Sequence, residues 1–228
     1  PNIIEIKEKD DPNKQQSIMI DNAKKREVYQ INRTNEVISK ADPDDIIIVS
    51  DLDEIPNLEN LDFKKINQKL IFFEQKMFYY KLNLLYDSFS WFGSKACKKK
   101  FFKNPEWLRS IKNKKYPLWR LDILFSKKKY NNIYYVKNGG WHFTNIRKPE
   151  DLEKKLLGFL HHVDYENSGL KLKDLKNLMN DKRIMYNHSL DKRENKWGQG
   201  KKLKSIDINL LPSQIKNNID KYKIWLDI

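Results

Sequence analysis

Residues 44–56 read DDIIIVSDLDEIP, and the first half of this stretch predicts the fold class. Four β-branched residues, 46–49, follow one another without a polar break. Such a run is typical of a strand that is covered on both faces, as in a parallel α/β sheet. Three acidic residues come directly after it, namely Asp51, Asp53 and Glu54. The stretch therefore predicts a buried strand with a cluster of carboxylates at its carboxyl end.

This acidic cluster is the first candidate site. In an extended chain, residues two apart point the same way, so we expect Asp51 and Asp53 to converge while Leu52 turns toward the core. Open α/β sheets bind ligands at the carboxyl ends of their strands. Ligand sets made only of oxygen favour Mg²⁺ or Mn²⁺, commonly shared with substrate phosphates. The pattern predicts a Mn²⁺ or Mg²⁺ site at Asp51 and Asp53, with a solvated acidic turn as the alternative.

The composition indicates a folded protein with a basic surface. The 228 residues include 6 Trp, 11 Tyr and 11 Phe, whereas disordered chains are poor in aromatic residues. No apolar run approaches the roughly 18 residues that a membrane span needs. The single cysteine, Cys97, excludes an intrachain disulfide and suits a reducing compartment. The net charge of +14 fits either a phosphate-bearing partner or an ordinary solvated surface, and the interleaving of acids with lysines favours the surface.

Periodicity and chain breakers predict one domain over residues 1–228. The predicted helices are 21–40, capped by Asp21 or Asn22, then 106–111, a helix that starts at Pro149, 170–180 and 213–226. The predicted strands are 1–6, 46–49, 72–84, 132–136 and 141–144, the last two separated by a turn at 138–140. The start at Pro1 within a strand-like stretch indicates a domain that is incomplete at its N-terminus.

Residues 44–56 resemble the signature of glycosyltransferase family 17, which includes the β-1,4-mannosyl-glycoprotein 4-β-N-acetylglucosaminyltransferases. The resemblance covers most of the chain from about residue 20 onward. Further segments resemble the family in the same order: Arg26-Glu27-x-Tyr29-Gln30, Tyr80-x-x-Asn83, Trp91-x-Gly93, Leu108-Arg109, Gly140-Trp141-His142-Phe143, Lys155 through His161, and Leu211-Pro212. Two positions depart from the pattern, since Ile31 stands where relatives tend to carry Arg and Gly158 where they tend to carry Ser.

The resemblance implies a fold and a reaction. The expected fold is α/β and GT-A-like, that of the nucleotide-diphospho-sugar transferases, with a mainly parallel central sheet flanked by helices. The opening strand-helix-strand unit of that fold is expected to be absent. The expected reaction is an inverting, metal-dependent transfer of N-acetylglucosamine from UDP-GlcNAc to a hydroxyl of a carbohydrate acceptor, with Mn²⁺ or Mg²⁺ as cofactor.

The residues expected at the site fall into groups by role. The metal ligands are Asp51 and Asp53, and the catalytic residues are Asp53, Glu54 and His142. The donor diphosphate would be bound by Arg26, Arg109, Lys155 and His161. The acceptor or sugar would be bound by Tyr80, Asn83, Trp91 and Trp141.

Several of these roles have a structural alternative. Glu54 is either the general base or an anchor for its loop, with Asp164 and Glu166 as other candidate bases. His142 either contacts the metal or diphosphate, favoured by two preceding glycines that allow close approach to a ligand, or is a buried structural histidine. His162 competes with His161, because it shares a helical face with Lys155. The arginines could form structural ion pairs, and the aromatic residues could belong to the core.

Two other functions stay open. A nucleic-acid-binding module would use the basic charge and the KKKFF stretch at 98–102, although no nucleic acid is expected as a partner. A haloacid-dehalogenase-like phosphatase would use Asp51 as its nucleophile, but Ile55 and Pro56 depart from that motif. The expected location is cytoplasmic, with membrane contact only through an unseen N-terminal region or a lipid- or glycan-linked acceptor. A Golgi-type lumenal location is the alternative.

Overall fold

The computed structural model describes residues 2–5, 7, 11–117, 119–123, 125–158, 162–188, 196–198 and 200–228. The helices are α1 Pro12–Arg33, α2 Asn35–Ile38, α3 Pro105–Ser110, α4 Pro149–Leu157, α5 His162–Ser168, α6 Leu172–Asn180, α7 Ser213–Lys216 and α8 Ile219–Tyr222. The strands are β1 Ile46–Val49, β2 Glu54–Pro56, β3 Leu70–Phe73, β4 Gln75–Tyr79, β5 Leu84–Trp91, β6 Lys95–Lys98, β7 Ile133–Val136, β8 Gly140–Thr144 and β9 Lys204–Ser205.

The α/β class is confirmed, but the direction of the strands differs from expectation. Within the described ranges, β1 pairs with β6, β3 with β6, β2 with β8, β4 with β5 and β5 with β9, all antiparallel. Strands β4 and β8 pair in parallel. The expected mainly parallel sheet is therefore corrected, because five of these six strand pairs are antiparallel. A β-branched run reports burial and strand propensity, and neither property fixes the direction of the neighbouring strand.

The chain folds into two compact units. The first comprises Pro1–Val49, Phe63–Phe72 and Ser94–Tyr134, and the second comprises Ser50–Asp62, Phe73–Gly93 and Tyr135–Ile228. The single domain that the sequence predicts stays a prediction. In the described part of the chain, no helix combines the length and apolar character that crossing a membrane requires.

The first helix begins earlier than its sequence predicts. Asp11 caps α1 by accepting a hydrogen bond from the Lys14 N–H at 3.1 Å, so neither Asp21 nor Asn22 is the cap. Asn22 lies inside the helix and binds both backbone groups of Ile4, at 2.8 Å and 2.6 Å. Residues 2–5 are therefore held by a side chain and form no strand, while Pro1 and Ile6 lie outside the described residues.

The sheet of the first unit is built on β6. Strand β1 lies antiparallel to it with Ile47 opposite Cys97, and β3 pairs with its other edge. Of the four residues of β1, Ile47 is buried and the other three are half-buried. Lys95 on β6 is buried, and its ammonium group donates to the carbonyls of Arg109 and Ile111 at 2.5 Å and 2.7 Å. These bonds compensate the burial of its charge.

The sheet of the second unit has the order β2-β8-β4-β5-β9. Strand β4 is covered on both faces, since Met77 and Tyr79 belong to one apolar cluster and Phe78 to another. The first cluster also contains Leu152 of α4 and Leu175 of α6. The doubly covered strand expected at residues 46–49 is thus found in β4, whose partner β8 carries the candidate histidine.

A tight turn positions β8. Gly140 has a φ of +132°, a region that side-chain-bearing residues avoid, and a Cβ there would overlap the Ile55 carbonyl oxygen. The turn that the sequence predicts at 138–140 is therefore present, and the close backbone approach at Gly140 is to strand β2. The resulting β2–β8 register places Glu54 opposite His142.

Candidate functional site

The acidic cluster lies on a turn that carries the chain into β2. The N–H of Glu54 donates to the carbonyl of Asp51 at 3.0 Å, which closes a turn over residues 51–54. Leu52 is 104% exposed, so the expectation that it packs in the core is wrong. The alternation argument required an extended chain, and the turn replaces that geometry.

Glu54 holds this turn from inside. Its side chain is buried, and Oε1 accepts a hydrogen bond from Trp91 Nε1 at 2.5 Å. Oε2 accepts from the Asp51 N–H at 3.0 Å, and the Ser50 hydroxyl lies 3.5 Å away. Gly93 makes the arrangement sterically possible, because a Cβ there would overlap the Glu54 carboxylate and the Trp91 ring. These are the contacts of an anchor, the alternative role for Glu54.

His142 and Asp53 face each other beside the turn. His142 is 6% exposed and stacks on Trp91, with ring centroids 4.7 Å apart and an angle of 27° between the rings. Its Nε2 lies 3.5 Å from Asp53 Oδ2, and its buried Nδ1 has no hydrogen-bond partner among the described residues. The Phe143 N–H donates to the Asp53 carbonyl at 2.8 Å, which holds Asp53 against β8.

The environment of Asp53 favours its charged form. Burial acts to raise the pKa of Asp53, but the hydrogen bond and charge of His142, together with a backbone hydrogen bond, act against burial, and the pKa lies below its ordinary value. The charge of Lys155 acts in the same direction. Asp53 is therefore an ionised carboxylate at neutral pH, with its side chain about 43% exposed.

Asp53 lines a cavity of about 440 Å³ in the second unit. The residues that line it come from the turn at 51–54, from the end of β8 and the positions after it, from α4 and from the C-terminal segment: Asp53, Phe143, Asn145, Ile146, Arg147, Asp151, Lys155 and Trp225. Two of the lining side chains, Arg147 and Lys155, are cationic. The cavity thus combines two carboxylates, two cations and two aromatic rings, and the two cations are groups that could bind the oxygens of a phosphate-bearing ligand.

Lys155 reaches the cavity from α4. Its ammonium group donates to Asn145 Oδ1 at 2.8 Å. Burial lowers the pKa of Lys155, the charge of Arg147 lowers it further, and the charge of Asp53 opposes both. Asn145 has a φ of +55°, so the chain turns directly after β8 and carries Arg147 to the cavity. Backbone conformations of this kind are concentrated at functional sites.

Three expected sugar-binding residues have other partners in the structure. Tyr80 is 1% exposed, and its hydroxyl accepts a hydrogen bond from the Met185 N–H at 3.1 Å. Asn83 is buried and pairs with both backbone groups of Asp227, at 2.8 Å and 3.1 Å. Trp141 donates from Nε1 to the Leu210 carbonyl at 2.9 Å. Their sugar contacts stay predictions, and these partners are those of structural residues.

Two further expected diphosphate ligands, Arg26 and Arg109, belong to the first unit. Arg26 is exposed on α1 of the first unit. Arg109, on α3 of the same unit, pairs with Glu27 at 2.5 Å, which is the structural alternative considered for it. His161 lies outside the described residues, and its competitor His162 begins α5 half-buried.

The turn offers few side chains that could bind a metal ion. Among the residues that the structure describes, no three His, Cys, Asp or Glu side chains come together as a metal site. Asp53 and His142 supply one carboxylate and one imidazole at 3.5 Å. Asp51 begins the turn through its backbone, and its role as a ligand stays a prediction.

The sequence did not single out Asn145, Arg147, Asp151 or Trp225. Arg147 had a signal, because it follows the end of a predicted strand by three residues. Half-buried His188 was also missed, and its Nε2 lies 2.5 Å from the Tyr79 hydroxyl. Burial lowers the pKa of His188 to about 4, with the charges of His142 and Lys196 acting in the same direction.

The KKKFF stretch at 98–102 offers little aromatic surface for stacking on bases. Lys100 lies over the Phe101 ring at 5.8 Å, and Lys99 over the Phe102 ring at 5.6 Å. Lys98 and Lys100 also pair with Asp44, at 3.3 Å and 2.7 Å. The stretch therefore contacts its own neighbours through the groups that a nucleic acid would use.

Comparison with known proteins adds no relative to these observations. The chain matches no protein-family model, no curated protein and no solved structure. The resemblance to glycosyltransferase family 17 thus rests on the residues of this sequence, and the function is argued from the site.

Proposed function

We propose that the protein is an inverting glycosyltransferase of the family 17 type, with a GT-A-like fold. It transfers N-acetylglucosamine from UDP-GlcNAc to a hydroxyl of a carbohydrate acceptor. The observation that carries the proposal is the cavity of the second unit, where Asp53 of the D-x-D pattern lies with Arg147 and Lys155. An acidic pattern at a strand end and two cations on one cavity are the parts that binding of a sugar diphosphate requires.

The cations supply the diphosphate contacts in this proposal. An ammonium group that is partly desolvated makes stronger charge-assisted hydrogen bonds than one in bulk water, and Lys155 is in that situation. Arg147 adds a planar guanidinium group that can bind phosphate oxygens in a bidentate manner. The net charge of +14 assists the approach of an anionic nucleotide sugar.

A divalent cation fits the donor set beside this cavity. Asp53 Oδ2 and His142 Nε2 are 3.5 Å apart and are ligand types that Mn²⁺ accepts. Mg²⁺ and Mn²⁺ in nucleotide sites are commonly bound through one or two carboxylates and the substrate phosphates, so two or three protein ligands suffice. The buried, unpartnered Nδ1 of His142 supports a functional role, since a merely structural histidine would be expected to have a partner. When bound, the ion would act as a Lewis acid on the leaving diphosphate.

Positioning of Asp53 and removal of the acceptor proton are assigned to side chains of the protein. Glu54 holds the turn that presents Asp53, because both of its oxygens already accept hydrogen bonds from Trp91 and Asp51. We therefore treat Glu54 as a positioning residue. The acceptor hydroxyl must lose its proton to another carboxylate, and Asp164 and Glu166 on α5 are the candidates.

Calorimetric titration of the protein with UDP, with and without Mn²⁺, tests the site. Asp53→Asn should weaken Mn²⁺-dependent UDP binding at least about tenfold, and Lys155→Ala by roughly 10- to 100-fold through a lost charged hydrogen bond. There are two matched controls. Asp87→Asn changes an exposed carboxylate on β5, and Lys154→Ala changes the neighbour of Lys155 on α4. Both variants should bind UDP normally.

Turnover distinguishes the reaction from nucleotide binding alone. The protein should release UDP from UDP-GlcNAc in the presence of Mn²⁺, and Asp53→Ala should abolish that release. A panel of UDP-sugars then identifies the donor. Unchanged UDP binding and donor hydrolysis in the Asp53 variants would refute the assignment. A phosphoryl adduct on Asp51 after incubation with a phosphate ester would instead identify a phosphatase.

A further inference from the structure

A loop of the first unit exposes three large apolar side chains within seven positions. In this loop, defined as the lysine-rich loop over residues 111–130, Trp119 is 78% exposed, Leu121 70% and Phe125 89%. Single exposed apolar residues are common on protein surfaces and need no explanation. Three such residues grouped on one loop are unusual, and exposed groups of this kind mark interaction sites.

The base of the lysine-rich loop is fixed by the protein core. The Lys112 N–H donates to the Lys128 carbonyl at 2.9 Å, which joins the two ends of the loop. Buried Trp107 donates from Nε1 to the Lys127 carbonyl and to the Tyr130 hydroxyl, both at 3.1 Å. Tyr116 is also buried. The exposed side chains therefore project from an anchored structure.

The outer part of the loop is held by turns of its own. The Arg120 N–H donates to the Pro117 carbonyl, and a short 3-10 helix follows over Leu121–Ile123. Arg120 binds both carboxylate oxygens of Asp122 at 2.8 Å. Lys129 binds the same carboxylate at 2.6 Å. These contacts hold Arg120 and Asp122 close to Trp119 in sequence, while the Trp119 side chain is exposed to solvent.

The charge of the loop is almost entirely positive. Residues 111–130 contain seven lysines and arginines and a single acid, Asp122. Hydrogen bonds from Arg120 and Lys129 keep the pKa of Asp122 far below its usual range. The carboxylate therefore stays ionised, and its negative charge is compensated by these two side chains of the same loop. The exposed basic side chains flank the apolar ones on both sides in sequence: Lys112, Lys114, Lys115, Lys127 and Lys128.

We propose that the lysine-rich loop docks the protein on the surface of an anionic lipid bilayer, with Trp119, Leu121 and Phe125 inserted among the headgroups. Tryptophan, phenylalanine and leucine are the residues that amphipathic segments bury at this boundary. Flanking lysines are attracted to acidic lipid headgroups and keep their charges in water. A surface that binds single-stranded nucleic acid uses aromatic faces for stacking on bases, and Leu121 has none. The outward position of Leu121 together with Trp119 and Phe125 therefore favours a bilayer over a nucleic acid. The proposal is independent of the reaction assigned to the second unit.

Sedimentation with vesicles tests the docking directly. The protein should bind vesicles of phosphatidylcholine mixed with phosphatidylserine, bind pure phosphatidylcholine much more weakly, and release in high salt. The double variant Trp119→Ser, Phe125→Ser should lose on the order of tenfold or more in partitioning. Val37→Ser is the matched control, because Val37 is 74% exposed on α2 outside the loop, and it should bind like the wild type.

The charge contribution has its own control. Lys127→Glu combined with Lys128→Glu should lower partitioning at least about tenfold, on the basis of roughly fivefold for each charge near the surface. Lys201→Glu combined with Lys202→Glu makes the same change on exposed positions of the second unit and should stay within about threefold of the wild type.

Insertion depth can be read from fluorescence. Lipids brominated in their acyl chains should quench the wild-type protein, and Trp119→Phe should lose most of that quenching while still binding. The altered side chains are exposed, so thermal unfolding of the variants should match that of the wild type. Absent binding to phosphatidylserine vesicles, or equal binding by the loop variants, would overturn the proposal. So would loop variants that lose only single-stranded oligonucleotide binding, because the loop would then be a nucleic-acid surface.

Discussion

The turn at residues 51–54 and the lysine-rich loop handle charge in opposite ways. In the turn, Glu54 points inward and both of its oxygens accept hydrogen bonds, from Trp91 and from the backbone, whereas Asp53 lines the cavity. In the loop, the only acid is paired with Arg120 and Lys129, and the exposed groups are cationic or apolar. The comparison teaches that the placement of charges identifies a site, whereas the net charge of +14 does not.

The largest effect on the turn is expected from the glycine that positions its partner strand. Gly140→Ala should lower the free energy of unfolding by roughly 3 to 4 kcal/mol, because φ is +132° and the new Cβ would overlap the Ile55 carbonyl. Gly169→Ala is the control, since Gly169 also has a positive φ but open space around it. It should cost about 1 kcal/mol. Urea unfolding of both variants measures the difference, and equal losses would contradict the steric explanation.

The next effect concerns half-buried His188 and depends on pH. Its folded-state pKa is about 4 against an ordinary value of 6.5, so the unfolded chain binds the proton more readily and acid destabilises the fold. The stability is fully present above pH 6.5 and falls between pH 6.5 and 4, by up to about 3 kcal/mol.

Urea unfolding at pH 7 and at pH 4.5 measures this loss. His188→Gln should show a smaller difference between the two pH values, by about 2 to 3 kcal/mol, because glutamine does not titrate. A variant with the same pH dependence as the wild type would exclude His188 as the source.

Glu54 provides the sharpest test of the turn itself. Glu54→Gln places an amide where a carboxylate accepts from two donors, and we expect a loss of about 1 to 3 kcal/mol in the free energy of unfolding. If the protein is the proposed transferase, the activity of this variant should fall only as much as its folded fraction or its Mn²⁺-dependent affinity for UDP falls. Exposed Glu166→Gln is the comparison and should unfold like the wild type. Normal stability with a selective loss of turnover in Glu54→Gln would make Glu54 the base.

The smallest effect is expected at the ion pair of Arg109 and Glu27. The Arg109 side chain is about 34% exposed and that of Glu27 about 50%, so breaking the pair should cost at most about 1 kcal/mol. Arg109→Ala and Glu27→Gln should therefore unfold alike in urea. If Arg109→Ala also weakened UDP binding while Glu27→Gln did not, Arg109 would regain its expected role at the diphosphate.

Local sequence signals predicted much of the fold. Strand β1, the helix that begins at Pro149 and the turn before β8 occupy the places that their residues indicate. The helix predicted at 213–226 is divided, since α7 ends at Lys216 and α8 begins at Ile219. The direction of the strands could not be predicted, because pairing depends on segments that are distant in sequence.

The candidate site was predictable in part for the same reason. Asp53 and Lys155 were singled out and do line one cavity, whereas Arg147 and Trp225 were not. Tyr80 fitted a sugar-binding pattern, yet it is buried among the side chains of its unit. The sequence around an aromatic residue does not show whether its side chain lies on a binding surface or in the core.

The sequence by itself determined where many of the strands, helices and turns form and that three acids follow a β-branched strand. Those properties depend on neighbouring residues, through propensity, chain breakers and alternation. Only the tertiary structure decided that Glu54 turns inward, because its partner Trp91 lies 37 positions further along the chain. It also decided that Asp53 meets His142 on β8 and shares a cavity with Lys155 of α4. Contacts between distant segments gave two neighbouring carboxylates different environments, and so separated an anchor from a candidate ligand.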